Sequence, residues 1–135
     1  MSYAMAEALQ AAIFARLAGD AALSALVGGA IYDAAPPGAG SGTFVLIGPE
    51  EVRDAADKTA DGAEHRLLIS VVSDAAGFQL AKAVAVAVSD ALAGPVPSLS
   101  RGRLVSLAFV KGAAKRTEAG TARRIDLTFR ARVEA

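Results

Sequence analysis

Residues Asp57–Leu92 read DKTADGAEHRLLISVVSDAAGFQLAKAVAVAVSDAL. A segment of small and charged residues ends at Gly62 and leads into a predicted strand over Glu64–Ser73. A turn at Asp74–Gly77 follows, and an amphipathic helix is predicted over Phe78–Ala93. The stretch contains neither a nucleophile–base pair nor a cluster of metal ligands, so we expect a scaffold that presents a loop for assembly rather than an active site.

The apolar residues of this predicted strand occupy both of its sides. Leu67, Ile69 and Val71 lie on one side and Leu68 and Val72 on the other, because side chains alternate along a strand. This pattern predicts a central strand that is covered on both faces. The helix that follows carries a single apolar stripe, made of Phe78, Ala81, Ala85, Val88 and Leu92.

Patterns in the rest of the chain predict a second long helix, a short helix and further strands. The long helix covers Tyr3–Leu17, and Asp20 is placed to cap a short helix that ends at Val27. The extended pieces are Ile31–Asp33, Phe44–Ile47, Arg103–Lys111 and Arg124–Val133. Glu50–Gly62 and Gly112–Thr121 are mostly polar and small, so both are predicted to be loops.

These elements predict an α+β fold for a single domain that spans residues 1–135. Consecutive strands usually pair, so we expect an antiparallel-rich sheet of about four strands. The two main helices are expected to pack on one face of it. Much of the apolar content is alanine, which buries little area, so the core is expected to be thin and self-association would supplement its stability.

The net charge is zero, but the charges are unevenly distributed. Residues 1–92 carry five basic and eleven acidic side chains, whereas residues 93–135 carry nine basic and three acidic ones. Two interpretations are favoured: polar faces in contact with solvent, or oppositely charged surfaces of neighbouring subunits that meet head to tail. Nucleic-acid contact is a third interpretation, but a neutral chain lacks the overall basic charge of a DNA-binding protein. No apolar run reaches the roughly 18 residues of a membrane span, so no membrane partner is expected.

Motifs that carry catalysis or ligand binding are missing from the sequence. His65 is the only histidine and there is no cysteine, so we expect an ordinary histidine at a strand entrance and neither a catalytic nor a metal site. The glycine-rich segment Gly38–Gly42 leads into a strand rather than a helix, which is the wrong context for a phosphate-binding loop. No cofactor is predicted, and the acidic residues between Glu50 and Asp61 lack the spacing of a calcium loop.

Segments spread over most of the chain occur in an order that matches a known family. They are Ala8–Asp33 (ALQAAIFARLAGDAALSALVGGAIYD), Thr43–Gly48 (TFVLIG), Asp57–Thr59, Gly62–His65, Gly77-Phe78 with Ala81–Ala83, Arg103–Phe109 and Thr128–Ala131. The order of these segments makes the chain resemble the tail-terminator proteins of long-tailed phages and gene transfer agents. These proteins are also called tail-completion or minor tail proteins.

The resemblance implies a structural protein rather than an enzyme. It implies a ring of six copies at the head-proximal end of the tail tube, which stops tube polymerisation and offers the surface that joins the neck. The implied partners are the tail tube protein, a neck or head-completion protein and other copies of the chain. DNA would pass through the ring without specific binding. The implied location is the tail–head junction of a particle assembled in the bacterial host cytoplasm.

Two charged segments are the candidate assembly contacts. The first is the predicted loop with Arg53, Asp54, Asp57, Lys58, Thr59 and Asp61, and the second is the basic set Lys111, Lys115, Arg116, Arg123 and Arg124. The basic set has two further interpretations, as protection of exposed strand edges or as a lining near packaged DNA. The alternative functions are another neck component such as a connector or stopper, a small ligand-binding domain, and a nucleic-acid module.

Overall fold

The structure is a computed structural model that describes residues 3–34, 42–55, 61–117 and 120–135. These residues form three helices and five strands. In chain order the elements are α1 (Ala6–Ala18), α2 (Ala21–Val27), β1 (Ile31–Tyr32), β2 (Thr43–Asp54), β3 (Gly62–Ser73), α3 (Gln79–Ala93), β4 (Arg103–Arg116) and β5 (Arg123–Glu134).

The five strands form one mixed sheet in the order β1-β2-β3-β5-β4. Every neighbouring pair is antiparallel except β1 and β2, which are parallel and share only two residue pairs. The α+β class is therefore confirmed. The prediction of an antiparallel-rich sheet of about four strands with two main helices is only roughly right. The sheet has five strands, β1 is parallel to its neighbour, and the helices number three with the short α2.

The two central strands carry the core on their helix-facing side. Leu67, Ile69 and Val71 of β3 are buried, and each lies opposite a buried residue of β5. The two-residue alternation predicted for β5 is confirmed, since Ile125, Leu127, Phe129, Ala131 and Val133 are all buried. The prediction that β3 is covered on both faces holds only in part, because Ser70 on its other side is buried whereas Leu68 and Val72 are half-buried.

The helices bury narrow apolar stripes against this side of the sheet. Leu9, Ile13 and Leu17 of α1 are fully buried, and α3 contributes several alanines and valines that allow its backbone to lie close to the sheet. Arg16 of α1 donates hydrogen bonds to the carbonyl oxygens of Ala91 and Pro95, at 3.3 and 2.7 Å. These bonds join α1 to the C-terminal end of α3.

Helix ends follow the predicted signals to within a few residues. Asp20 caps α2 as predicted, because its carboxylate accepts a hydrogen bond from the Leu23 amide at 2.9 Å. α1 begins at Ala6 rather than Tyr3, and Phe78 is the N-cap residue of α3 rather than its first residue. Among the described helices, no single one is long and apolar enough to cross a membrane, although α1 and α2 together meet that test with a 77° bend between them.

Two predicted loops are largely strand. β2 continues through Glu50–Asp54, and β4 continues through Gly112–Arg116. Neither segment has good strand propensity, but each pairs along its length with a central strand, and these backbone hydrogen bonds outweigh the local preference. The register of β2 shifts between Ile47 and Glu50, where Gly48 has a φ of +106° that favours glycine.

Candidate assembly surfaces

The first predicted contact segment lies at the end of the sheet where β2 and β3 meet. Arg53 and Asp54 belong to β2 and pair with Glu64 and Ala63 of β3, so both sit on a strand and not in a loop. The exposed Arg53 side chain contacts the Glu51 carboxylate at 2.9 Å. Asp61 follows the gap in the described residues, and its carbonyl oxygen accepts a hydrogen bond from the amide of the C-terminal residue. Asp57, Lys58 and Thr59 lie outside the described residues.

The predicted basic set is divided by the structure, because three of its five members have intramolecular partners. The Asp126 carboxylate accepts a hydrogen bond from Ser70 at 2.7 Å and contacts Arg124 at 2.8 Å and Lys115 at 3.3 Å. Partial desolvation acts to raise the pKa of Asp126, but the hydrogen bonds from Ser70 and Arg124 and the positive charge of Arg124 outweigh it and lower the pKa below 3.8. This cluster connects β3, β4 and β5.

Arg123 is the third engaged member of the set. Its guanidinium lies over the ring of Phe78, 5.8 Å from the ring centroid, and the Lys82 ammonium lies 6.0 Å from the same centroid. Both contacts are within the range of cation–π attraction. The Arg123 contact joins the start of β5 to the start of α3, and Arg123 is half-buried there.

Lys111 and Arg116 are the two members of the set that remain available. Both are exposed on β4, opposite Thr128 and Arg123 of β5. Neither forms an ion pair with any residue that the structure describes. These two cations are therefore the strongest candidates for contact with another molecule.

The first predicted contact segment lies at one end of the sheet, and the basic set extends from the middle of β4, where Lys111 lies opposite Thr128, to the other end. In the β3–β5 pairing, Gly62 lies opposite Glu134 at one end and Ser73 lies opposite Arg123 at the other. The eleven steps from Gly62 to Ser73 span about 36 Å, at roughly 3.3 Å per strand residue. The β2–β3 segment and the start of β5 can therefore reach different neighbours in an assembly.

His65 has a different environment from the predicted strand entrance. It lies within β3, is fully buried, and its Nδ1 is 3.0 Å from the Glu50 carboxylate. The Tyr3 hydroxyl donates to the other oxygen of the same carboxylate at 2.9 Å, and this hydrogen bond, followed by the negative charge, raises the pKa of Tyr3. The alternation of β3 could have indicated burial, since His65 shares the parity of Leu67 and Ile69.

An acidic groove lies beside α1, at the β2 side of the sheet. It has a volume of about 560 Å³. The exposed aromatic rings of Tyr3 and Phe14 line it, together with the carboxylates of Glu7, Asp33 and Glu50. Its described lining residues include no lysine or arginine. We call this surface the α1 groove.

A second, more apolar surface lies at the opposite side of the sheet, between α3 and β4. It encloses about 340 Å³ and includes Val86 and Phe109, which are 58% and 54% exposed. The Phe109 ring packs edge-on against Phe129, 5.9 Å between centroids. Lys82 lines this surface, and Arg116 ends β4 opposite Arg123. Lys111 belongs to the same edge strand but lies opposite Thr128, on the other face of the sheet from Phe109. We call this surface, with Phe109, Lys111 and Arg116, the β4 edge.

Charged sheet ends and two exposed grooves are features of a protein that assembles with others. Among the described residues, no group of three or more histidine, aspartate or glutamate side chains could hold a metal ion. A search of curated protein sequences found no match.

Two comparisons give the family. The family model of tail completion protein gp17 matches residues 11–134. A chain of a solved structure, described as the virion of a native gene transfer agent particle, is 60% identical, superposes with a TM-score of 0.92, and is matched over 99% of this chain and 100% of its own length. The chain belongs to the tail completion protein gp17 family. The predicted family resemblance is confirmed, and membership makes the chain a structural tail component rather than an enzyme.

Proposed function

We propose that this protein is a structural component of a phage-like gene transfer agent particle, in which six copies form a ring at the head-proximal end of the tail tube. The ring stops polymerisation of the tube and provides the surface to which the neck attaches. The observation that carries the proposal is the family match over residues 11–134, supported by the full-length likeness to a chain of a gene transfer agent virion.

The separation of the charged segments supports contact with two different neighbours. A terminating ring has one face towards the tube and one towards the neck. The β2–β3 segment, with Arg53, Asp54 and Asp61, lies about 36 Å along β3 from the end that holds Arg123. One segment serves the tube protein and the other serves the neck protein, as loops and strand ends on a rigid scaffold commonly do.

Deletion of the gene tests the proposal. We expect electron micrographs to show uncapped tails of irregular length that are not joined to heads, and complementation with the intact gene to restore complete particles. Complete particles with tails of normal length in the deletion strain would refute the proposal. A labelled copy of the protein should be found at the tube end. A label on the capsid portal would assign the protein to the stopper or connector class instead.

The segment Asp57–Thr59 is proposed as an assembly contact. Its replacement by three alanines should leave the fold intact and impair particle assembly. Circular dichroism and thermal unfolding of the purified variant would check the fold, and particle counts would check assembly. Unfolding of the variant would show that the segment is part of the folded core and not a contact surface.

A further inference from the structure

We propose that the ring contact joins the α1 groove of one copy to the β4 edge of the next copy. This inference rests on the proposed function, because it specifies which surfaces would close the ring. The two surfaces belong to the same chain, lie at opposite sides of the sheet and differ in charge. They therefore fit a second copy of this chain better than an unrelated partner.

The charges of the two surfaces are complementary. Glu7 and Asp33 of the α1 groove are exposed and form no ion pair with another described residue. Lys111 and Arg116 of the β4 edge are likewise exposed and have no described ion-pair partner. Joining these surfaces would bring the carboxylates of one copy towards the cations on β4 of the next, and such complementarity sets the orientation and partner choice of an interface.

Both surfaces also carry exposed aromatic side chains. Tyr3 and Phe14 are 66% and 44% exposed at the α1 groove, and Phe109 is 54% exposed at the β4 edge. Aromatic residues framed by charged ones are typical of the centre of a protein interface. Burying these rings between copies would supplement the small alanine-rich core of each subunit.

The topology makes this contact head to tail. β4 is the last strand at one side of the sheet, whereas the α1 groove lies beyond β2 near the other side. A contact between two different surfaces of identical chains is heterologous, and repetition of it closes into a ring when the rotation between copies is suitable. A ring closed in this way leaves the sheet end with Arg53, Asp54 and Asp61 free for the tube or the neck, while Arg116 at the other end takes part in the ring contact.

Reversal of the charges tests the electrostatic part of the contact. Glu7→Lys with Asp33→Lys, and separately Lys111→Glu with Arg116→Glu, should each place like charges together and strongly reduce the number of complete particles. All four substitutions in one chain should restore particle formation. Arg130→Glu, at an exposed position of β5, is the matched control and should have no effect. Loss in both pairs without rescue in the fourfold variant would contradict the proposal.

Thiol crosslinking tests the geometry directly, because the native chain contains no cysteine. Ala11→Cys lies in the α1 groove and Ala114→Cys lines the surface between α3 and β4, and both alanines are exposed. Complete particles that carry both substitutions are treated with a short bismaleimide. We expect a ladder of covalent multimers that ends at six, with peptides 11 and 114 linked in mass spectra. Neither single variant should form multimers, and Ala22→Cys in place of Ala11→Cys should abolish the ladder.

The outcomes separate this inference from the proposed function. If the particles form and the double variant gives no multimers, the surfaces assigned to the contact are wrong while the terminating role stands. Dimers from Ala114→Cys alone would show a symmetric contact and would also overturn the proposal. Normal particles in the deletion strain would instead refute the function itself.

Discussion

The fully buried His65 is joined to Glu50, at the margin of the core, by a 3.0 Å contact between Nδ1 and a carboxylate oxygen. An ionised carboxylate has no proton to donate, so the imidazole Nδ1 is the donor of this hydrogen bond. The register shift in β2 makes this contact possible. It places Glu50 opposite Leu67, on the core-facing side of the sheet, instead of opposite Arg66.

Removal of the Glu50 carboxylate should destabilise the protein. In Glu50→Ala the buried Nδ1 of His65 loses its partner, and an unsatisfied buried donor costs about 1–3 kcal/mol. Glu50→Gln should cost less because its amide oxygen can still accept. Urea denaturation would give the free energy of unfolding. The exposed neighbour Glu51→Ala is the control, with an expected change within about 0.5 kcal/mol. Equal stability of the Glu50→Ala and Glu51→Ala variants would contradict this account.

The Asp126 cluster should make stability depend on pH in the acid range. The folded-state pKa of Asp126 is lowered, so its stabilisation is fully present above the ordinary value of 3.8 and is lost as the pH falls through the lower folded-state value. Asp126→Asn should be less stable than the native chain at pH 7, and the difference should shrink as the pH is lowered below about 4. Thermal unfolding at several pH values measures this. Asp90→Asn, at an exposed position on α3, should leave the profile unchanged.

Gly102 allows the chain to pass close to α1 before β4 begins. Its φ is +69°, and a Cβ atom there would contact the Met5 sulfur and lie 2.6 Å from the Glu134 carbonyl oxygen. Gly102→Ala should therefore cost more than the roughly 1 kcal/mol expected of an alanine at positive φ. Gly28→Ala is the matched control, because Gly28 has a φ of +62° with open space around it. If the two variants unfold at the same urea concentration, the close contacts at Gly102 add nothing to the cost of an alanine at positive φ.

The divided basic set predicts two kinds of variant. Lys111→Ala with Arg116→Ala should change the free energy of unfolding by no more than about 0.5 kcal/mol, since neither has a described partner, and should reduce particle assembly. Arg124→Ala should instead lower stability by about 1 kcal/mol, because it removes contacts to Asp126 and Ser70. Chemical denaturation and particle counts on the same variants separate the two effects. Reduced stability in the Lys111 and Arg116 variant would show that these side chains have a structural role.

Local patterns predicted the elements with strong periodicity and missed those that depend on pairing. The alternation of β5 and the cap at Asp20 both occur as predicted. The segments Glu50–Asp54 and Gly112–Arg116 were misassigned as loops because alanine, glycine and charged residues have weak strand preference. Pairing with β3 and β5 holds them in the sheet, and pairing is not visible in a local window.

The amino-acid sequence by itself determined the α+β class, the core-facing residues of β5 and the family, because periodicity and the order of segments are properties of the chain alone. Only the tertiary structure decided which charged residues are available. Among the residues that the structure describes, three members of the basic set have partners on other strands or at the start of α3, and Lys111 and Arg116 have none. The tertiary structure also decided that Glu50 contacts His65, because a one-residue change of register moves a side chain to the other face of a sheet.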